Sequence, residues 1–347
     1  MRKYIGCVCA FLILLGLCTS ARADTVTFGE SSYDTASVSI DLQDNRVTDW
    51  DAFYDFLSAF TGLEHVDMFA SPVQRAQIEE LEARFPGIEF GWTIQFYEHE
   101  VRTDQTAFST LHMSNARTHG DIDISLVRYC KNLRALDFGH NAVKDISFLY
   151  DLPELRVLII ACNQVEDITP IGSLKNLEYL ELFTNRIKDI SPLTGLEHLM
   201  DLNISYNYIE DISPIFTLPN LKRLWTCRSI NRGSNVSLSW AQIGEIKEAF
   251  PDIELNNVSN PTGGTWREHP HFEVIHTFFR TGVYVPFEDS FDVERKISIT
   301  SVEELPMEES TESPEVTVPP VITPEATSEP TSTPEPEKKR ITIEIKR

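Results

Sequence analysis

The sequence has few cysteines, few basic residues and no long apolar run after residue 18. Only Cys130, Cys162 and Cys227 follow residue 23, and this sparse, odd-numbered set excludes a disulfide-rich scaffold. Lysines and arginines number 30 against 53 acidic residues, which gives a net charge of −23. That balance argues against a nucleic-acid partner and favours a basic one. No segment after residue 18 has the roughly 20 apolar residues of a transmembrane helix, so no membrane span is predicted in the mature chain.

Motifs that carry chemistry are also missing. The sequence contains no Gly-x-Ser-x-Gly elbow, no phosphate-binding glycine loop and no His-Glu-x-x-His motif. We therefore predict no enzymatic activity and no cofactor. Glu268, His269, His271 and His276 lie close together in the sequence, but their spacing matches no established ligand pattern. No metal site is predicted.

The first 23 residues have the features of a secretory signal peptide. Arg2 and Lys3 precede an apolar run over Cys7–Cys18, and a small-x-small site follows at Ala21–Ala23. This pattern predicts cleavage after Ala23 and a secreted or cell-surface location. Two alternatives remain open, an uncleaved anchor and a lipid attached to Cys18.

A period of 22 residues dominates the middle of the chain. Leucines recur at this interval from Leu133 to Leu221. Asparagines recur in the same phase, at Asn141, Asn163, Asn185 and Asn207. One unit reads Leu177-x-x-Leu180-x-Leu182-x-x-Asn185-x-Ile187-x-Asp189-Ile190-Ser191-Pro192-Leu193. This is the pattern of a leucine-rich repeat.

Each unit predicts one coil of a solenoid. Leu180 and Leu182 alternate with outward-facing positions, as in a half-buried strand. The asparagine amides are expected to bond turn backbone groups of their own and of the neighbouring coil, which predicts a structural ladder of Asn141, Asn163, Asn185 and Asn207. A single coil cannot bury its apolar face, so the coils must stack.

The short Asp-Ile-Ser-Pro-Leu form of the unit resembles the repeats of bacterial internalin-type leucine-rich repeat proteins. The resemblance implies an α/β solenoid: a leucine-rich repeat horseshoe with a parallel β-sheet on the concave face and short helices or turns on the convex face. It also implies a bacterial origin and a role in adhesion or host contact.

Weaker copies extend the array on both sides, giving ten candidate strands. The outer templates include Ile40-x-Leu42, Leu63-x-x-Val66-x-Met68, Phe85-x-x-Ile88-x-Phe90, Phe108-x-x-Leu111-x-Met113 and Phe250-x-x-Ile253-x-Leu255. We interpret residues 24–132 as an N-terminal cap with divergent repeats and residues 133–255 as the leucine-rich repeats. Similar segments near residues 76–81 and 241–246 predict two true α-helices on the convex side.

The chain changes character after the repeats. Residues 256–291 are rich in aromatic residues without the 22-residue phase, and we predict that they form a C-terminal cap over the open end of the core. Residues 292–347 contain no aromatic residue and many Pro, Thr, Ser and Glu residues. They are predicted to form a disordered tail.

The outward strand positions define the candidate site, an apolar and aromatic patch with acidic residues on the concave face. Exposed clusters of this kind usually mark binding surfaces. Two alternatives are that the cap or the tail covers the patch, or that its residues pack on each other along the sheet. The predicted partner-binding residues are Val157, Ile159, Tyr179, Glu181, Phe183, Asp201, Tyr206, Arg223 and Trp225.

The sequence thus predicts a secreted or cell-surface protein that binds another protein through its concave face. The partner is unidentified, and the acidic charge of the chain favours a basic one. Adhesion is the role that the resemblance implies. Two other functions remain open, a carbohydrate-binding envelope protein and a structural spacer module. Acidic and aromatic residues also suit sugar binding, so the patch does not distinguish a protein-binding from a carbohydrate-binding function.

Overall fold

The structure is a computed structural model that describes residues 24–96, 99–110, 124–227, 238–257, 261–262 and 265–286. The predicted signal peptide (1–23) and the predicted tail (292–347) lie outside the described residues.

A seven-stranded parallel sheet forms the centre of the molecule and confirms the solenoid. Its strands run in chain order, each paired with the next. In the central coils Leu180 pairs with Leu158 on one side and with Leu202 on the other, as the 22-residue phase predicts. The strands are β7 (Ala107–Ser109), β8 (Ala135–Asp137), β9 (Val157–Ile159), β10 (Tyr179–Glu181), β11 (Asp201–Asn203), β12 (Arg223–Trp225) and β13 (Glu254–Asn256).

The first part of the chain forms two smaller sheets instead of extending this one. β1 (Thr25–Phe28) and β2 (Ser31–Asp34) make an antiparallel hairpin. The second sheet has the order β3 (Ser39–Asp41), β4 (His65–Val73), β5 (Glu89–Phe96) and β6 (His99–Arg102). β6 folds back antiparallel on β5 and occupies the edge that β7 would need, so the parallel array is interrupted there.

Three outer strands lie near their predicted places but out of the predicted phase. Phe90 and Leu255, instead of Ile88 and Ile253, pair with the leucine-type positions of the neighbouring coils. Each strand follows an α-helix, and the first residue of its predicted repeat, Phe85 or Phe250, is the C-cap of that helix. The strand therefore begins two residues later than predicted. In β7, Phe108 itself pairs with Leu136, and the predicted strand at 111–113 lies outside the described residues.

The convex side carries helices, as predicted. The helices α2 (Arg75–Arg84) and α3 (Trp240–Ala249) correspond to the two predicted α-helices, whereas α1 (Trp50–Ser58) was not foreseen. The coils between carry short 3₁₀ helices, three of which begin with a Ser-Pro or Thr-Pro pair. The repeated aspartate precedes each of four such helices and accepts the backbone N–H two residues later, as Asp189 does from Ser191 at 2.7 Å.

The repeated asparagines form a continuous ladder inside the turn. Asn163 accepts the backbone N–H groups of Asn141 and Val143 at 3.1 and 2.9 Å. Its amide donates to the carbonyls of Phe138 in the preceding coil and Ile160 in its own, both at 3.1 Å. Asn141, Asn185 and Asn207 are likewise buried. Each side chain thereby pairs turn backbone groups that burial would otherwise leave without partners.

Candidate functional site

The last described segment lies across the concave face of the seven-stranded sheet. We call residues 265–286 the C-terminal strap. It contains α4 (Pro270–Thr281), which ends at Gly282 in a left-handed conformation with φ of 74°. The Gly282 carbonyl accepts the N–H groups of Thr106 and Ala107 at 3.3 and 3.1 Å, which fastens the strap beside β7. This part of the chain, which we predicted to cap the open end of the core, packs instead against the concave strands.

α4 is amphipathic, and its apolar face matches the apolar strand positions beneath it. Trp266 precedes the helix and packs between the rings of Tyr179 and Trp225, with centroid distances of 5.4 and 5.0 Å. Burial of an apolar face at i, i+1, i+4 and i+5 is what docks a helix on a sheet. The strap and the concave strand positions together form a second apolar core, separate from the core inside the coils. The strap contributes six buried side chains to it: Trp266, Val274, Ile275, Phe278, Phe279 and Tyr284.

The predicted partner-binding residues were expected to be exposed, but the strap covers them. Tyr206 is half-buried, and each of the other eight residues is at most 5% exposed. The alternative in which the C-terminal segment covers the patch describes the structure. A repeat pattern shows which side chains leave the coil interior, but it does not show what packs on them. The eight buried residues are Val157, Ile159, Tyr179, Glu181, Phe183, Asp201, Arg223 and Trp225.

Glu181 is the main polar anchor of the strap. Its side chain is fully buried, and it accepts hydrogen bonds from the Trp266 indole N–H at 2.9 Å and from Arg267 at 2.7 Å. The Tyr179 hydroxyl donates a short hydrogen bond to the same carboxylate. Burial opposes the charge of Arg267, but Glu181 and Tyr179 outweigh that effect and leave the pKa of Arg267 raised. A buried carboxylate is stable only when paired in this way.

A second polar cluster joins the start of α4 to β11 and β12. His271 Nδ1 makes a short hydrogen bond to Asp201 Oδ2. Arg223 donates to Glu254 at 3.1 Å, and its guanidinium lies 4.4 Å from the centroid of the Trp266 ring. His269 caps α4 by accepting the His271 backbone N–H at 3.1 Å. Burial, and then the charge of Arg223, lowers the pKa of His269 to about 4.

Asp137, at the end of β8, is a buried carboxyl group with a raised pKa. It is buried, accepts the Gly139 N–H at 3.0 Å and contacts the Ser109 hydroxyl at 3.1 Å. Burial raises its pKa from an ordinary 3.8 to about 7. The folded state therefore favours the protonated acid. The stabilisation that the protonated Asp137 contributes is fully present below the pKa of this group in the unfolded chain. It is lost as the pH rises through the folded-state pKa of about 7.

We expect Asp137→Asn to stabilise the protein at pH 8 and to have little effect at pH 4. Asparagine keeps an acceptor for Gly139 without charge, as Asn203 does three repeats later by accepting the Ser205 N–H. Melting temperatures of the two proteins at both pH values measure the effect. An equal difference at pH 4 and pH 8 would contradict the shifted pKa.

Sequence reasoning found one side of this interface and missed the other. It selected Tyr179, Glu181, Asp201 and Arg223, but it did not connect them with Trp266, Arg267 and His271. The available signal was the dense apolar content of the 256–291 segment, which indicated packing without indicating its place.

Comparison with known proteins identifies the repeats. Residues 131–172 and 153–195 match two copies of a family model described as leucine-rich repeats. No curated protein sequence matches the chain significantly. Proteins built from such repeats are generally interaction modules without enzymatic activity.

Solved structures of internalins are among the similar folds. An internalin (InlF) from Listeria monocytogenes is 25% identical, with a TM-score of 0.39, over 59% of this chain and 52% of that one. The alignment thus spans about half the length of that internalin. Internalin C2 from the same species is 17% identical, with a TM-score of 0.33, over 65% and 76% of the two chains. A leucine-rich repeat protein from Leptospira interrogans is 15% identical, with a TM-score of 0.31, over 58% and 74%.

Within the part of the chain that the structure describes, no helix is both long enough and apolar enough to span a bilayer.

Proposed function

We propose that this leucine-rich repeat protein is a secreted or cell-surface module that binds a protein partner on its concave side while the strap stays in place. The observation that carries the proposal is the anchoring of the strap. The Glu181 carboxylate, Asp201 Oδ2 and the Trp266 indole N–H are each paired across the strap–sheet interface. A partner that displaced the strap would leave these buried groups exposed or unpaired, at a cost of roughly 1–3 kcal/mol for each group left unsatisfied.

The surface that remains accessible on this side is formed by α4 and the neighbouring turns. Glu273, His276 and Arg280 are exposed on α4. His140 and the aromatic Tyr208, which follow β8 and β11 in the sequence, are also exposed. In this proposal the nine residues selected from the sequence act by holding the strap. The net charge of −23 favours a basic partner.

The extracellular location rests on the N-terminal segment. A positive start, an apolar run and the Ala21–Ala23 site support export and cleavage. The intact mass of the protein from the culture medium should correspond to a chain that begins at Asp24. A mass that includes Met1, or a lipid on Cys18, would contradict secretion in this form.

Crosslinking mass spectrometry on native extracellular material identifies the partner, and substitutions then locate the interface. We expect the triple variant Glu273→Ala, His276→Ala, Arg280→Ala to weaken binding at least about tenfold, because it truncates three neighbouring exposed side chains of α4, including an arginine, a residue type that often carries binding energy at interfaces. A matched control replaces one base, one acid and one histidine elsewhere on the surface, Lys175, Glu197 and His198, all exposed.

Two results would contradict this interface. The first is that both triple variants bind like wild type. The second is that a strap-releasing variant, Trp266→Ala, binds more tightly, which would indicate that the partner competes with the strap. The carbohydrate alternative has no specific support, because the Tyr179 and Trp225 rings that suggested sugar stacking are buried.

A further inference from the structure

The start of the strap and one strand of the sheet bring together two imidazoles and a carboxylate. His269 and His271 flank the first residue of α4, and Asp201 belongs to β11. One ligand atom of each residue lies within 4.8 Å of the others. A tetrahedral ion at bond lengths near 2.1 Å needs donor atoms about 3.4 Å apart.

Asp201 supplies a second, independent indication of a ligand. Its side chain is 1% exposed, and its Oδ1 atom has no hydrogen-bond partner among the described residues. The nearest cation is Arg223 Nη1 at 3.8 Å, which also has no hydrogen-bond partner there. A buried carboxylate oxygen in this condition is costly unless something else binds it.

A cavity of about 520 Å³ opens onto the cluster. Its lining includes Asp201, His269 and His271 together with Lys222, Arg223 and Glu254. It provides an entry path and room for the water that completes a three-residue site. The guanidinium of Arg223 is paired with Glu254 at 3.1 Å, which reduces its repulsion of an entering cation.

We propose that Asp201, His269 and His271 form a binding site for a divalent transition-metal ion, with zinc as the preferred class. Two imidazole nitrogens and one carboxylate oxygen are donors that suit zinc and its neighbours, whereas calcium and magnesium require oxygen ligands. The ligands come from the strap and from the sheet, so a bound ion ties one to the other. Metal binding then stabilises the strap by mass action.

The test uses the tag-free secreted chain and the metal ion alone. Titration calorimetry with ZnCl₂ should show one ion bound per chain, and the melting temperature should rise with ZnCl₂ but not with MgCl₂ or CaCl₂. The variant His269→Asn removes an imidazole and keeps a side chain that favours the N-cap position of a helix. We expect it to bind zinc at least about tenfold more weakly, because loss of a residue that only supports a ligand already costs about 10–100-fold in metal affinity. His198→Asn, at an exposed position outside the strap, is the matched control and should bind zinc like wild type.

Several outcomes would overturn the proposal. One is the absence of saturable zinc binding by the wild-type chain. Another is equal zinc affinity of the His269→Asn and His198→Asn variants. Binding of several weak ions that neither substitution affects would show that the acidic surface, and not this cluster, holds them. A third variant, Asp201→Asn, preserves the size of the side chain but replaces one carboxylate oxygen with an NH₂ group that cannot bind a metal ion, and it should also lose affinity.

Discussion

Trp266→Ala should lower the free energy of unfolding by about 3–5 kcal/mol, the usual cost of removing a large buried aromatic side chain. The ring is fully buried between Tyr179 and Trp225, and the Arg223 guanidinium packs on it. Its indole N–H is one of the donors to the buried Glu181 carboxylate. The variant thus loses packing and leaves a charged group with one partner fewer.

Chemical denaturation followed by circular dichroism measures this effect. Trp240→Ala is the matched control, because Trp240 lies at the start of α3 with 89% of its surface exposed. That substitution should change the free energy of unfolding by less than about 0.5 kcal/mol. Similar unfolding midpoints for the two variants would show that Trp266 does not pack against the sheet.

Asn185→Ala should destabilise the protein by about 1–3 kcal/mol, because backbone groups in the buried turn lose their partner. The Asn185 amide donates to the carbonyls of Ile160 and Leu182, each at 2.9 Å. Its oxygen accepts the Val165 N–H at 3.1 Å. The side chain therefore links the turn of its own coil to that of the preceding coil, and alanine supplies neither donor nor acceptor.

Asn176→Ala provides the comparison for this effect. The Asn176 side chain is half-buried, and its amide makes one solvent-exposed hydrogen bond of 3.4 Å, to the Pro153 carbonyl. Its loss should cost less than about 0.5 kcal/mol. Equal denaturation midpoints for the Asn185 and Asn176 variants would refute the role of the ladder.

The central coils were predictable because one physical requirement recurs in every unit. Leu158, Leu180 and Leu202 fill equivalent positions of a stacked core, so the same spacing reappears in the sequence. The phase failed where the outer segment changed length. Phe85 and Phe250 end α-helices instead of beginning a coil, and the next strands shifted by two residues.

The cover on the concave face was not predictable in the same way. The contact between Trp266 and Glu181 joins residues 85 positions apart and occurs once. A single long-range contact leaves no periodic signal for spacing arguments to detect. The cluster of Asp201 with His269 and His271 was not predictable for the same reason, because it also depends on a long-range contact that occurs once. The two histidines alone match no ligand spacing, and the third residue comes from a strand 70 positions earlier.

Amide hydrogen exchange of α4 tests the central claim, that the strap is docked on the concave face through Glu181. An isolated helix of 12 residues is marginal in water, so protection of α4 reports its packing and not its intrinsic helicity. We predict protection of Val274–Phe279 comparable to that of β9–β11. In Glu181→Ala, exchange in α4 should accelerate by at least about tenfold while the strands remain protected. Exchange of α4 at the rate of an unfolded chain in the wild-type protein, with protected strands, would contradict the docked strap.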